Sequence, residues 1–242
     1  MSSVKERPIL FGGPMVRALL AGSKTQTRRA VKSPTGYFQV NSTLDGQVVG
    51  VEVVDTDENY VRGLLCPYGQ PGDRLWVRET FYAFGYWQKR LKEDKPAETE
   101  WHFVDLTQVQ EYSYRFEKPS ENVGKRRSDG GKPQWWKRPS IFMPRAASRL
   151  LLEITAVRVE RVQAISEADA VAEGVEVVDG ILEDSPGFRN YMMPGEENAF
   201  GFPRNSFGSL WRSINGTESW AANPWVWVVE FKVIDGKEVA SA

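Results

Sequence analysis

Gly22-Ser23-Lys24-Thr25-Gln26-Thr27-Arg28-Arg29 is the stretch on which the reading of this chain turns. It follows a short amphipathic segment, Pro14 to Ala21. Gly13 and Pro14 suit a helix start, because proline at the first helical position gives up an N–H that has no partner within the helix. Gly22 suits the helix end, since glycine accepts the left-handed conformation of a cap. Beyond it β-branched and charged residues alternate, which is a strand pattern. Lys24 therefore falls at a helix-to-strand junction. Thr25, Thr27 and Arg29 share one strand face by the two-residue period. An amine, a hydroxyl and a guanidinium are expected to meet on that corner. The same spacing also suits a solvated basic strand with ordinary threonines.

A chain of 242 residues is expected to form one domain, with room for large insertions and a sizeable core. A formal net charge of −1 argues against a generic polyanion binder, so any nucleic-acid contact needs a local patch. With Cys66 the sole cysteine, there is no intrachain disulfide and no cysteine-based metal site. His102, the sole histidine, leaves little room for a zinc site or a Ser-His-Asp triad, and a structural role is expected for it. No metal and no cofactor are expected. Met1 to Glu6 lacks the apolar run of a signal peptide, and no apolar stretch reaches membrane-spanning length. The expected location is cytoplasmic, without a membrane partner.

Outward from the central stretch, Arg7 to Phe11 reads as a strand. Residues 33–70 read as an insertion, with a hairpin of Tyr37 to Val40 and Val48 to Val54 around Asp45-Gly46. Leu75 to Phe81 reads as one strand whose parity puts Glu79 among Leu75, Val77 and Phe81. A buried carboxylate needs a partner, and Lys24, Arg29 and Arg78 are the candidates. That pairing predicts Lys24, Thr27, Arg29 and Glu79 around one cleft, while a plain structural ion pair is the alternative for Glu79.

Residues 82–140 read as the largest irregular insertion, in which Trp101 to Val104 and Tyr112 to Phe116 are expected to pair. From Lys118 to Arg149 nine Lys and Arg residues, Arg145 among them, face only Glu121 and Asp129, and Trp135 and Trp136 sit inside the run. Basic residues interleaved with aromatics suit phosphate contact and base stacking, hence a nucleotide or single-stranded nucleic acid. A solvated loop has the same composition.

Leu150 to Val162 reads as a long strand. A helix follows, with Ser166 as N-cap and Gly174 as the residue beyond its end. Glu173 then falls in the last turn, where the negative end of the helix dipole disfavours a carboxylate. Residues 176–202 read as a third insertion. Asn205 or Ser206 is expected to cap a helix that buries Phe207, Leu210, Trp211 and Ile214 and stops at Asn215-Gly216. Trp225 to Ile234 alternates as a last strand. Strands with a few short helices and no βαβ regularity predict an α+β fold.

The Gly-x-Lys-Thr-x-Thr-x-Arg pattern after a short helix resembles the signature of the ASCH-domain family, which has a PUA-like fold. Arg7 to Phe11, Pro71 to Glu79 and Asn223 to Val228 are similar to further blocks of the long ASCH proteins of phages and prophages. The resemblance implies one PUA-like domain: a small, mixed or mostly antiparallel β-barrel with flanking helices and large loop insertions. Some small bacterial ASCH proteins are amidohydrolases that deacetylate N4-acetylcytidine with a lysine, a threonine and a glutamate. Residue by residue, these fall on Lys24, Thr27 and Glu173, with Glu79 a competing carboxylate. The resemblance thus implies a metal-free amidohydrolase for an N-acylated pyrimidine nucleoside, nucleotide or nucleic acid. Lys24 would act as base, Thr27 as nucleophile or orienting hydroxyl, and Glu173 as proton donor. Arg28, Arg29, Arg78, Glu79, Trp135, Trp136 and Arg145 are the expected substrate contacts. An RNA- or DNA-binding PUA-like module without chemistry is the main alternative, and a phage assembly-associated protein the second.

Overall fold

The structure, a computed structural model, describes residues 4–32, 39–42, 48–54, 61–63, 65–95, 97–182, 185–193 and 198–234. In chain order the first elements are β1 (Glu6–Leu10), α1 (Gly13–Leu20), β2 (Gln26–Ala30), β3 (Gln39–Ser42), β4 (Val48–Val54), β5 (Val61–Gly63) and β6 (Arg74–Arg78). β7 (Phe81–Leu91), β8 (Thr99–Asp105), β9 (Gln134–Arg138) and β10 (Leu151–Arg161) follow. The chain continues with α2 (Glu167–Ala172), β11 (Val177–Leu182), β12 (Ser185–Phe188), α3 (Pro203–Asn215) and β13 (Trp225–Ile234). The fold is α+β, mostly strands in antiparallel sheets with few helices. No helix among the described residues is long and apolar enough to cross a membrane.

The chain divides into two compact units. One comprises Met1–Ile9, Pro14–Trp76 and Leu150–Ala242, and the other Leu10–Gly13 and Val77–Arg149. The first is built on a five-stranded sheet in the order β1-β6-β10-β13-β2. β10 pairs antiparallel with β13 and with β6, and β13 pairs antiparallel with β2. Val226, Val228 and Val229 are fully buried and Trp227 nearly so, so β13 is covered on both faces rather than on one. Its near-continuous apolar run, rather than its alternation, is the sequence mark of that central position.

α1 ends as its sequence predicts, with Gly22 at φ +73°. The predicted hairpin forms between β3 and β4, while its turn and Tyr37 lie outside the described residues. The stretch around 176–202, read as loop, contains the β11–β12 hairpin. α3 starts two residues before the expected cap. Phe202 is the N-cap without a side-chain bond, and Pro203 supplies the ready-made φ of the first turn. Its Phe207, Leu210 and Trp211 are buried, but Ile214 in the last turn is exposed.

The second unit corrects the reading of 82–140 as irregular: it holds a sheet in the order β8-β7-β9. β8 is the edge strand and pairs with β7 from Gly85↔Asp105 to Leu91↔Thr99, so the partner of Trp101 to Val104 is β7 and not Tyr112 to Phe116. That later segment bridges to β7 through Tyr82 and Arg115. Gly85 allows the close approach, because a Cβ there would lie 2.0 Å from the Val104 carbonyl oxygen. The expected single strand Leu75–Phe81 is also two, broken at Glu79 and Thr80 between β6 and β7.

Candidate functional site

The backbone of Lys24 is held between the ends of two helices. The Ser23 and Lys24 N–H groups both donate to the Ala18 carbonyl at the end of α1. Lys24 forms an isolated antiparallel bridge with Glu173 just past α2, and Thr25 N–H donates to the Ala172 carbonyl at 2.9 Å. α2 forms where its sequence directs: the Ser166 hydroxyl accepts from the Asp169 N–H at 3.1 Å, and Gly174 closes the turn at φ +80°. These constraints bring the Lys24 amine onto Glu173. Its Nζ donates to Glu173 Oε2 at 2.9 Å and to the Glu173 carbonyl at 2.7 Å.

β2 adds a second cation. Gln26 and Arg28 share the strand face turned to α2: Gln26 Nε2 donates to the Asp169 carbonyl, and Arg28 Nη1 donates to Glu173 Oε1 at 3.1 Å. Arg28 Nη2 also reaches Asp169 Oδ2 at 2.9 Å and Glu160 Oε1 at 2.5 Å. Arg158 on β10 closes the array by donating to Asp169, Glu160 and Glu230. Asp169 and Glu173 are four apart in sequence, hence on one side of a helix. That spacing was the available signal for Asp169. Nothing local in sequence marks Glu160, Arg158 or Glu230, which arrive through the β10–β13–β2 register.

The array is dry at its centre. The side chains of Lys24, Arg28 and Glu173 retain 1%, 0% and 4% of their accessibility. Burial lowers the Lys24 pKa from its ordinary value; Glu173 opposes this by charge and hydrogen bond, and the charges of Arg29 and Arg28 add to the lowering. Burial alone would raise Asp169, but Gln26, Arg28 and Arg158 hold it below the usual carboxylate range. A lysine whose ammonium is disfavoured, touching a carboxylate, is an arrangement able to take up and pass on a proton. Among the described residues no group of three His, Cys, Asp or Glu side chains is gathered as a metal ion would need.

The other residues singled out from sequence are distributed differently. Thr27 is buried in β2 opposite Val229, and strand alternation puts it with Arg29 on the face away from Gln26 and Arg28. Arg29 is half-buried. Glu79 is buried as its parity predicts, but its partner is none of Lys24, Arg29 or Arg78. Arg149 grips it with two bonds, Nε to Oε1 at 2.9 Å and Nη2 to Oε2 at 3.0 Å, while stacking over Phe116 at 4.0 Å. Arg78 donates to the Met143 and Ile141 carbonyls. Glu79, Arg78 and Arg149 belong to the second unit, whereas Lys24 and Glu173 belong to the first.

Trp135 and Trp136 are core residues and not exposed stacking surfaces. Trp136 Nε1 donates to the Gly85 carbonyl, and Trp135 meets Phe84 edge-on. Because β9 is covered on both sides at this point, both tryptophans of the pair are buried. Arg145 is half-buried at a short 3₁₀ turn, Arg145–Ala147. Comparisons with protein-family models, with curated proteins and with solved structures match none of them.

Proposed function

We propose that the chain is an ASCH-type amidohydrolase acting on an N-acylated pyrimidine nucleoside or nucleotide, with its five-stranded sheet part of a PUA-like domain. The observation that carries this reading is the 2.9 Å contact between Lys24 Nζ and Glu173 Oε2 in a dry setting that disfavours the ammonium. Neutral Lys24 takes the proton of the attacking hydroxyl, from a water that Thr27 orients or, as the resemblance implies, from Thr27 itself, which strand alternation sets on the other face of β2. The resulting ammonium passes a proton to Glu173. Glu173 delivers it to the exocyclic nitrogen as the C–N bond breaks, so the amine leaves neutral and the acyl group leaves as a carboxylic acid after water adds. Arg28 keeps Glu173 aimed at Lys24 throughout.

Purified protein incubated with N4-acetylcytidine and related acylated nucleosides tests this reading. Lys24→Ala is expected to lower turnover by about 10²–10⁴-fold, the usual worth of a general base. Thr27→Ser retaining turnover while Thr27→Ala loses it would assign the attack to the hydroxyl. Turnover by Lys24→Ala at the parent rate would sink the mechanism. In that event the near-complete burial of Lys24 and Arg28 favours a second reading. The array would then be a clasp between β2 and α2 in a PUA-like module that binds RNA or DNA without chemistry.

A further inference from the structure

The second unit contains a cavity of about 690 Å³ that the proposed hydrolysis does not use. Its lining combines flat rings with cations. Arg138, on β9, is only 8% exposed, yet among the described residues its side chain makes no hydrogen bond and no ion pair. Its guanidinium lies instead among three rings: Phe103 at 4.3 Å, Trp87 at 4.7 Å and Phe142 at 4.9 Å. Arg127 lies over Trp87 at 4.2 Å, and Lys137 also lines the cavity. The two carboxylates of the lining are otherwise engaged. Glu100 pairs with Arg90 at 2.7 Å, and Asp105 accepts from the Tyr114 hydroxyl and the Thr107 N–H.

A guanidinium largely withdrawn from water with no carboxylate at ion-pair distance is unfavourable, and ring faces offset only part of that cost. Burial accordingly pulls the Arg138 pKa down, opposed by the charge of Asp105 and reinforced by that of Arg127. An arginine keeps its charge all the same, and its planar fork matches a carboxylate or phosphate. The remaining walls are suited to a ring. Trp101 is 36% exposed and Phe142 56% exposed, and both border the cavity. Its volume is in the range that takes a small organic ligand.

The geometry points to this cavity as a binding site for a small molecule in which a planar ring carries an oxyanion, with the oxyanion on Arg138 and Arg127 and the ring against Trp101 and Phe142. The site is independent of Lys24 and Glu173. Phosphate and carboxylate present the same chemistry to a guanidinium, and the choice between them is left to the probe.

Calorimetric titration of the full chain with phenyl phosphate, benzoate, inorganic phosphate and benzyl alcohol tests the site. Phenyl phosphate or benzoate is expected to bind about tenfold or more tighter than either inorganic phosphate or benzyl alcohol. Whichever binds tighter identifies the oxyanion. Arg138→Gln is expected to remove most of that affinity. Arg127→Gln and Lys137→Gln, at exposed positions where the fold is not at stake, are expected to weaken binding several-fold and to flatten its salt dependence. The proposal is overturned if benzyl alcohol binds as well as the charged rings or if inorganic phosphate binds as well as phenyl phosphate. It is equally overturned if the three variants keep the parent affinity, or if no probe saturates at millimolar concentration.

Discussion

The proposed chemistry rests on Lys24, and its energetics are testable without a substrate. Lys24 is buried against Glu173, which Arg28 also holds. Glu173→Gln removes the carboxylate that Lys24 and Arg28 share, and breaking a buried pair in this way costs about 3–5 kcal/mol. Urea unfolding is expected to show a loss of that order. The pH dependence has a definite sign. The folded-state pKa of Lys24 lies below the ordinary 10.5, so between the two values the unfolded chain holds the proton that the folded chain has released. Stability therefore rises as pH climbs through the folded-state pKa towards 10.5, and the penalty for burying the ammonium is fully present below that window. Lys24→Met is expected to abolish this alkaline gain in a series of unfolding curves. Tyr114 works oppositely. Burial first, then the charge and hydrogen bond of Asp105, push its pKa up to about 12. Its contribution is present below the ordinary 10.0 and lost as pH rises through about 12. Ultraviolet titration of phenolate is expected to show Tyr114 titrating late, beside Tyr191, which burial also pushes up, and Asp105→Asn is expected to bring Tyr114 alone back towards the rest.

At the scale of the element, α2 shows which structure a sequence can announce. Ser166 as cap and Gly174 as terminator are local rules of backbone satisfaction, and both operate in the structure. Ser166→Ala is expected to cost about 1 kcal/mol in chemical unfolding. Gly174→Ala should cost more. A side chain at φ +80° carries about 1–3 kcal/mol of strain. Its Cβ would also stand 2.8 Å from that of Ala18 and 2.9 Å from that of Lys24. The variant is therefore expected to slow any turnover that depends on Lys24 as well as to destabilise. Lys24 and Glu173 were each singled out through the resemblance, but the strand pattern offered Lys24 as a partner for Glu79 and not for Glu173. The rest of the array was not legible. Arg28 meets Glu160 through strand neighbours far apart in the chain, and a register cannot be read from either strand alone. Trp135 and Trp136 misled for a related reason: adjacent strand residues suggest one exposed partner, but β9 is covered at both.

At the scale of the whole molecule, the two carboxylates that competed for a catalytic role belong to different units, each engaged with partners of its own. Glu79→Gln is expected to lower thermal stability by loosening its two-bond grip on Arg149 while leaving turnover unchanged. Glu173→Gln is expected to abolish turnover, and the pair of variants assayed together separates structure from chemistry. The α+β class was legible from strand patterns, whereas the β8-β7-β9 sheet was not. Its longest strand carries Gln88-Lys89-Arg90 just before its last residue, and its pairing depends on the bare backbone of Gly85. One junction has a wider bearing. Trp76 is the last residue of the first unit before the long excursion, Leu150 resumes it, and Leu151 stands directly opposite Trp76 as its strand partner. The doorway by which the chain departs is thus also the one by which it comes home. Length between such partners counts only logarithmically in the entropy of closing the loop. A protein built this way can exchange the excursion beyond β6 for another while keeping the β6–β10 register that launches it, and variation in size among kindred chains should gather at that threshold.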